Sequence, residues 1–163
     1  DTYILEMLNL EGAQAGLSWR IVLAKRDEYK KAFRDFDIEY CLQLSDEELE
    51  KIRQDYNVIK NSAKIKAVRS NAAAVIQLKK EFGSFSEFLW SYVDFKPVVN
   101  SWQTEGQMPA QSDLSEQISK DLKKRGFKFV GPVIIYSFLQ AIGMVDDHIK
   151  TCPQHTANRQ TVK

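Results

Sequence analysis

The feature that most constrains this chain is the spacing of its apolar residues, which recur at three and four along most of its length: Ile4, Leu5, Leu8; Leu17, Ile21, Val22; Ile65, Val68, Ala72, Val75, Ile76. That is the period of an amphipathic helix, and no sustained alternation of period two competes with it. Punctuation agrees. Ser45-Asp46-Glu47-Glu48 reads as a capping box ahead of Leu49 and Ile52, and Ser84-Phe85-Ser86-Glu87 as another ahead of Phe88, Leu89 and Tyr92. Gly83, Gly126 and Gly143 each stand where an apolar period ends, as left-handed C-caps do. The sequence therefore predicts an all-α fold, with Phe127 to Val130 the one place for a short extended piece.

Organisation follows from the one long irregular stretch, Phe95 to Ser112, which holds Pro97, Gly106 and Pro109. We expect a single domain over residues 1–163. It divides into a helical lobe over about 1–95, a surface connection over about 95–112, a C-terminal helical part over about 112–152 and a tail over 153–163. With 44% hydrophobic and 28% charged residues, this is the balance of a soluble globular protein. Two cysteines, Cys41 and Cys152, exclude a disulfide framework and suit a reducing compartment. No stretch approaches the ~18 consecutive apolar residues of a membrane span, and the start has no basic and apolar leader. We therefore expect a cytoplasmic location and no membrane partner. The chain opens on Asp1 and its methionines are Met7, Met108 and Met144, so a natural start upstream is expected.

The formal net charge of +1 hides an asymmetry. Residues 1–119 carry 15 Lys/Arg against 19 Asp/Glu, whereas residues 120–163 carry 8 against 3. A positive run from Lys51 to Lys80 follows an acidic one from Asp37 to Glu50, as solvated helix faces commonly do. The densest cluster is Lys120, Lys123, Lys124, Arg125 and Lys128, opposed only by Asp121. Here Gly126 closes one helix, and Gly131-Pro132 opens the next, proline being pre-set for a first helical turn. Backbone N–H groups of the tight turn between them, with a helix N-terminus behind, favour an anion. Helix, glycine-bounded hairpin and helix, with lysines such as Lys124 and Lys128 beside Gly126 and Gly131, is how a DNA phosphate is gripped without reading sequence. An ordinary αα-corner with Phe127 and Phe129 in the core is the alternative.

A second segment is unusual for a helix: Leu10-Glu11-Gly12-Ala13-Gln14-Ala15-Gly16-Leu17-Ser18-Trp19. Two glycines, each costing about 1 kcal/mol in a helix interior, interrupt an apolar surface, and such a break often shapes a pocket. Glu11 offers an acceptor for an amino group and Trp19 a flat π-face, which together suit a planar, electron-poor ring. The alternative is a surface glutamate and a core tryptophan.

At this point the chain resembles the 3-methyladenine DNA glycosylase I family, a branch of the helix-hairpin-helix DNA glycosylases. The resemblance runs from Asp1 to Cys152. It rests on residues 10–19 just quoted, Phe-Leu-Trp-Ser-Tyr-Val (88–93), Lys-Lys-Arg-Gly-Phe-Lys-Phe-Val-Gly-Pro (123–132), Tyr-Ser-Phe-Leu-Gln-Ala-Ile-Gly (136–143) and Asp-Asp-His-Ile-Lys-Thr-Cys (146–152). It implies a two-lobed helix-hairpin-helix glycosylase fold and a bacterial-type cytoplasmic enzyme of base-excision repair. Such an enzyme flips 3-methyladenine out of alkylated double-stranded DNA and hydrolyses its N-glycosidic bond, needing no protein partner. Glu11 would meet the adenine edge and its positive charge, and Trp19 would stack on the ring. Leu17 would enter the DNA gap as an apolar wedge, with Gln14 and Gly16 beside it.

The resemblance also implies a structural zinc, for which His148 and Cys152 would be two tetrahedral ligands one helical turn apart. The family's segment carrying the other Cys and His, and two pocket tyrosines, is not among these residues, so the site is expected to be incomplete or makeshift here. His155 is a possible third ligand that the family pattern does not call for. Relatives place a catalytic Asp beyond the hairpin. Here Asp146 and Asp147 come early and Thr151-Cys152 stand near the expected place. No hairpin-adjacent lysine matches the amine of lyase-active relatives, so simple hydrolysis with water as nucleophile is expected. The competing reading is a catalytically silent helical DNA-binding module.

Overall fold

The computed structural model describes residues 1–159. The helical expectation holds there: α1 (Thr2–Ala13), α2 (Trp19–Ala24), α3 (Arg26–Ala32), α4 (Ile38–Gln43), α5 (Asp46–Asp55), α6 (Ser62–Phe82), α7 (Phe85–Ser91), α8 (Asp113–Lys124) and α9 (Pro132–Ala141). Local signals act as read. Ser45 and Glu48 form a reciprocal capping box, at 3.1 and 2.8 Å. At Ser84 only half of the box forms: its hydroxyl accepts from the Glu87 N–H at 2.9 Å, while the Asp1 carboxylate takes the Phe85 and Ser86 N–H groups at 3.1 Å. Gly83, Gly126 and Gly143 all lie at positive φ.

The long helix α6 packs against α1, α4, α5 and α7, and α8 packs against α9. Helix α1 touches both α6 and α9, so a single buried core runs from Leu5 and Phe33 through Leu78 and Phe85 to Phe138. Its position has a chemical consequence. Every residue from Ile4 to Ala13 is buried, including Glu6, Asn9 and Glu11, and a buried polar group is costly unless it finds a partner. Glu6 pairs with Arg26 of α3 at 2.6 Å. Asn9 donates to the Leu5 carbonyl at 2.8 Å and accepts from Asn71 of α6 at 2.9 Å. Glu11 is the exception.

Three expectations need correction. Phe127 to Val130 is not extended, because Phe129 takes φ +55 and breaks any strand. The strands lie elsewhere: β1 (Val98–Val99) pairs in parallel with β2 (Val145–Asp146), Val98 opposite Val145. The connection over 95–112 is therefore no mere surface excursion, being sewn to the C-terminal segment also by the Lys150 N–H to the Trp102 carbonyl at 2.8 Å. Third, His148 and Cys152 are not on a helix. The Asp146 carboxylate takes the His148 N–H at 3.1 Å, and Pro153 biases Cys152 away from helical backbone, so the segment runs in turns. The expected tail also packs in part, since His155 is buried with its Nε2 on the Asn100 carbonyl at 2.8 Å. Residues 160–163 of that tail lie outside the described residues.

Candidate functional site

The break read in residues 10–19 is where the site is built. Helix α1 ends after Ala13, Lys64 of α6 closes its end by donating to the Ala13 and Ala15 carbonyls at 2.9 and 2.7 Å, and Gly16 turns the chain at φ +78. Ser18 then caps α2, whose first residue is Trp19. Glu11 and Trp19 consequently line one cleft of about 950 Å³, joined by Met7 and Gln14. Glu11 is only 6% exposed. Burial pushes its carboxyl up to about 7, with no hydrogen bond or charge among the described residues offsetting that. A buried acceptor that lacks a protein partner and faces a cleft is poised for a ligand that brings a donor or a positive charge.

A second wall comes from α9, through Ser137, Gln140 and Ala141, and from the segment after β2. Its organiser is Asp147. One carboxylate oxygen accepts from Asn100 Nδ2 and Trp102 Nε1, each at 2.6 Å; the other accepts from the Tyr136 hydroxyl and from Gln140 Nε2 at 2.7 Å. Burial alone would raise its pKa, but these donors outweigh burial and hold it below the ordinary value. Asp146 behaves alike: against burial, Thr156 and His148 hold its carboxyl well below the usual range. Both carboxylates of the Asp-Asp pair are thus saturated with donors.

Against α1 at Gly12, the turn between α8 and α9 is locked in place. Asn71, 1% exposed, accepts from the Lys128 N–H at 2.8 Å and donates to the Lys128 carbonyl at 3.3 Å, while the Ser119 hydroxyl donates to the Val130 carbonyl at 2.6 Å. Gly12 lets the turn come this close: a Cβ there would lie 3.0 Å from Phe129 Cβ. Of the five clustered cations, Lys120, Lys123, Lys124 and Lys128 are exposed. Arg125 is not free, being paired with Glu81 at 2.7 and 3.2 Å and stacked over Phe82 and Phe88.

The methyladenine glycosylase family model matches residues 1–155. The chain belongs to the methyladenine glycosylase family. It is 42% identical to DNA-3-methyladenine glycosylase 1 of Escherichia coli (strain K12), over 96% of this chain and 83% of that protein. It is 40% identical to the DNA-3-methyladenine glycosylase of Haemophilus influenzae (strain ATCC 51907 / DSM 11121 / KW20 / Rd), over 94% and 83%. A crystal structure of a 3-methyladenine DNA glycosylase I variant in complex with 3-methyladenine superposes with a TM-score of 0.92 at 37% identity, covering 94% of this chain and 83% of that one.

In this methyladenine glycosylase the structure brings Glu11, Gln14 and Trp19 to the cleft, and also His148 and Cys152 at its edge. Gly16 and Leu17 sit on the turn joining α1 to α2, where Leu17 is 39% exposed. Gly126 and Gly131 bound the α8–α9 turn as read, Gly131 capping α9 with Pro132 at its first position. Among the described residues no group of three or more His, Cys, Asp or Glu side chains could hold a metal. His155 is no third ligand, because one ring nitrogen meets the Asn100 carbonyl and the other accepts from the Ala157 N–H. Sequence reasoning missed the second wall. Tyr136 and Gln140 lie in a quoted block, but nothing in the spacing joined them to Asn100, Trp102 and Asp147.

Proposed function

We propose that this protein excises 3-methyladenine from alkylated duplex DNA in base-excision repair, hydrolysing the N-glycosidic bond and releasing the free base. The observation that carries it is Glu11, a buried carboxyl group with no partner among the described residues, sharing a cleft with the Trp19 indole. A base methylated at N3 brings the missing positive charge and a ring to stack. That charge also weakens the bond to the sugar: cleavage sends the bonding electrons to the base and neutralises it, while water adds its hydroxyl to the sugar carbon and loses a proton. Strong general-acid help is unnecessary. Asp146 and Asp147, saturated by hydrogen bonds, are not free to activate water, so recognition and orientation carry the catalysis.

On this reading the exposed Lys124 and Lys128, with the turn bounded by Gly126 and Gly131, hold DNA phosphates, and Leu17 fills the gap left by the flipped base with Gln14 and Gly16 beside it. The direct test is release of free 3-methyladenine from methylated duplex, resolved chromatographically, with no strand scission. Duplex binding without base release would favour the silent DNA-binding module.

We also propose a structural zinc. Asp146 holds His148 Nδ1 at 2.7 Å, which leaves Nε2 as the coordinating nitrogen, the carboxylate–histidine arrangement common around metals. His148 and Cys152 supply two donors, and two more would come from outside the described residues. Bound zinc would add folding free energy to this segment. In a protein that also carries the family's segment with the other Cys and His, metal analysis should find about one zinc per chain, with Cys152→Ser lowering both metal content and melting temperature; absence of zinc from that protein overturns the assignment.

A further inference from the structure

The second wall of the cleft carries a fixed polar group that the recognition scheme above leaves idle. Gln140 lines the cleft from α9, and its Nε2 donates to Asp147 at 2.7 Å. The other donors to Asp147 are the Trp102 indole N–H, the Asn100 amide and the Tyr136 hydroxyl. A carboxylate that collects four donors has none to offer in return, so the Gln140 amide can meet it only through its NH2 group. The usual freedom of a glutamine amide to turn over is removed. Its Oε1 is left without a partner among the described residues, as an acceptor on a side chain that lines the same cleft as Glu11.

We propose that Gln140 is a specificity-determining residue that accepts a hydrogen bond from the exocyclic amino group of the damaged adenine, and that Asp147 is the positioning residue that fixes its amide. This rests on the reading of the cleft as a 3-methyladenine site. Adenine presents an amino donor at its six position, whereas guanine presents a carbonyl oxygen there. Against an amide locked with its oxygen outward, the amino group gains a hydrogen bond and the carbonyl meets another acceptor. A free amide would turn over and accept either ring, so the discrimination lies in the Asp147 hydrogen bond as much as in Gln140.

The experiment compares kcat/KM for release of 3-methyladenine and of 3-methylguanine from methylated duplex by the wild-type protein, Gln140→Met, Asp147→Asn and the double variant. A ratio of the two substrates on one preparation cancels any loss of folded protein. We expect the wild-type ratio to favour 3-methyladenine and to fall by about tenfold or more in Gln140→Met. Asp147→Asn, which keeps Gln140 but frees its amide, should reach a similar ratio, with no further fall in the double variant. A wild-type ratio near one, or an unchanged ratio in Gln140→Met, overturns the proposal. An unchanged ratio in Asp147→Asn overturns its positioning part. Failure of the wild-type protein to release 3-methyladenine at all would instead overturn the reading of the cleft on which the proposal stands.

Discussion

A carboxyl group buried without a partner lowers the stability of the fold that holds it, and Glu11 is such a group. Its pKa is pushed up from 4.5 to about 7 by burial. Below pH 4.5 the side chain is neutral in folded and unfolded chains alike, and the associated stability is fully present. As the pH rises toward about 7 the unfolded chain ionises first, and that stability is lost, by a total on the order of 3 kcal/mol. We predict that urea unfolding midpoints of the wild-type protein fall between pH 5 and pH 8, and that Glu11→Gln removes most of this slope. A slope equal in both proteins would mean that Glu11 is solvated. Residue chemistry of this kind was half legible. Glu11 and Trp19 stood out because a charged residue and glycines interrupt an apolar run, but that Glu6 and Asn9 would find partners while Glu11 would not depends on α3 and α6.

At the scale of elements, the turn between α8 and α9, which we propose faces DNA, is tied to the helix that carries Glu11. Asn71 bridges α6 to that turn and also bonds Asn9 of α1, two residues from Glu11. Asn71→Ala leaves the Lys128 N–H and the Asn9 side chain short of a partner, a destabilisation of about 1–3 kcal/mol. A melting temperature unchanged by that substitution would contradict the anchoring. Lys128→Ala and Lys124→Ala, by contrast, leave the anchor intact. Each should weaken binding to damaged and undamaged duplex equally and lower the salt slope by about 1 for each phosphate that the lysine neutralises. Weakening confined to damaged DNA would place these lysines elsewhere in the mechanism. Helices, caps and this turn were readable because they are local: Gly126 at φ +91 and Gly131 before Pro132 announce themselves in sequence. The β1–β2 pair was not, since two residues on each strand, paired across 47 positions, leave no periodic trace.

For the whole molecule, α1 is the shared element: it packs on both α6 and α9, and its Glu11 lines the cleft. The second wall, with Asp147 at its centre, is assembled from α9 and the segments after β1 and β2, so no single stretch of sequence describes it. No helix among the described residues is long and apolar enough to cross a membrane. The central claim is that Glu11 and Trp19 together hold the damaged base. It is tested most directly by single-turnover excision of 3-methyladenine from methylated duplex, with undamaged-duplex affinity measured alongside. Glu11→Gln keeps the shape but loses the charge that favours a cationic base, and Trp19→Ala loses a stacking surface worth ~1–3 kcal/mol. We predict that excision falls by roughly ten- to a hundred-fold in Trp19→Ala and falls also in Glu11→Gln, while undamaged-duplex affinity stays within about twofold of wild type. Wild-type excision rates in both variants would contradict the account and place the base pocket elsewhere.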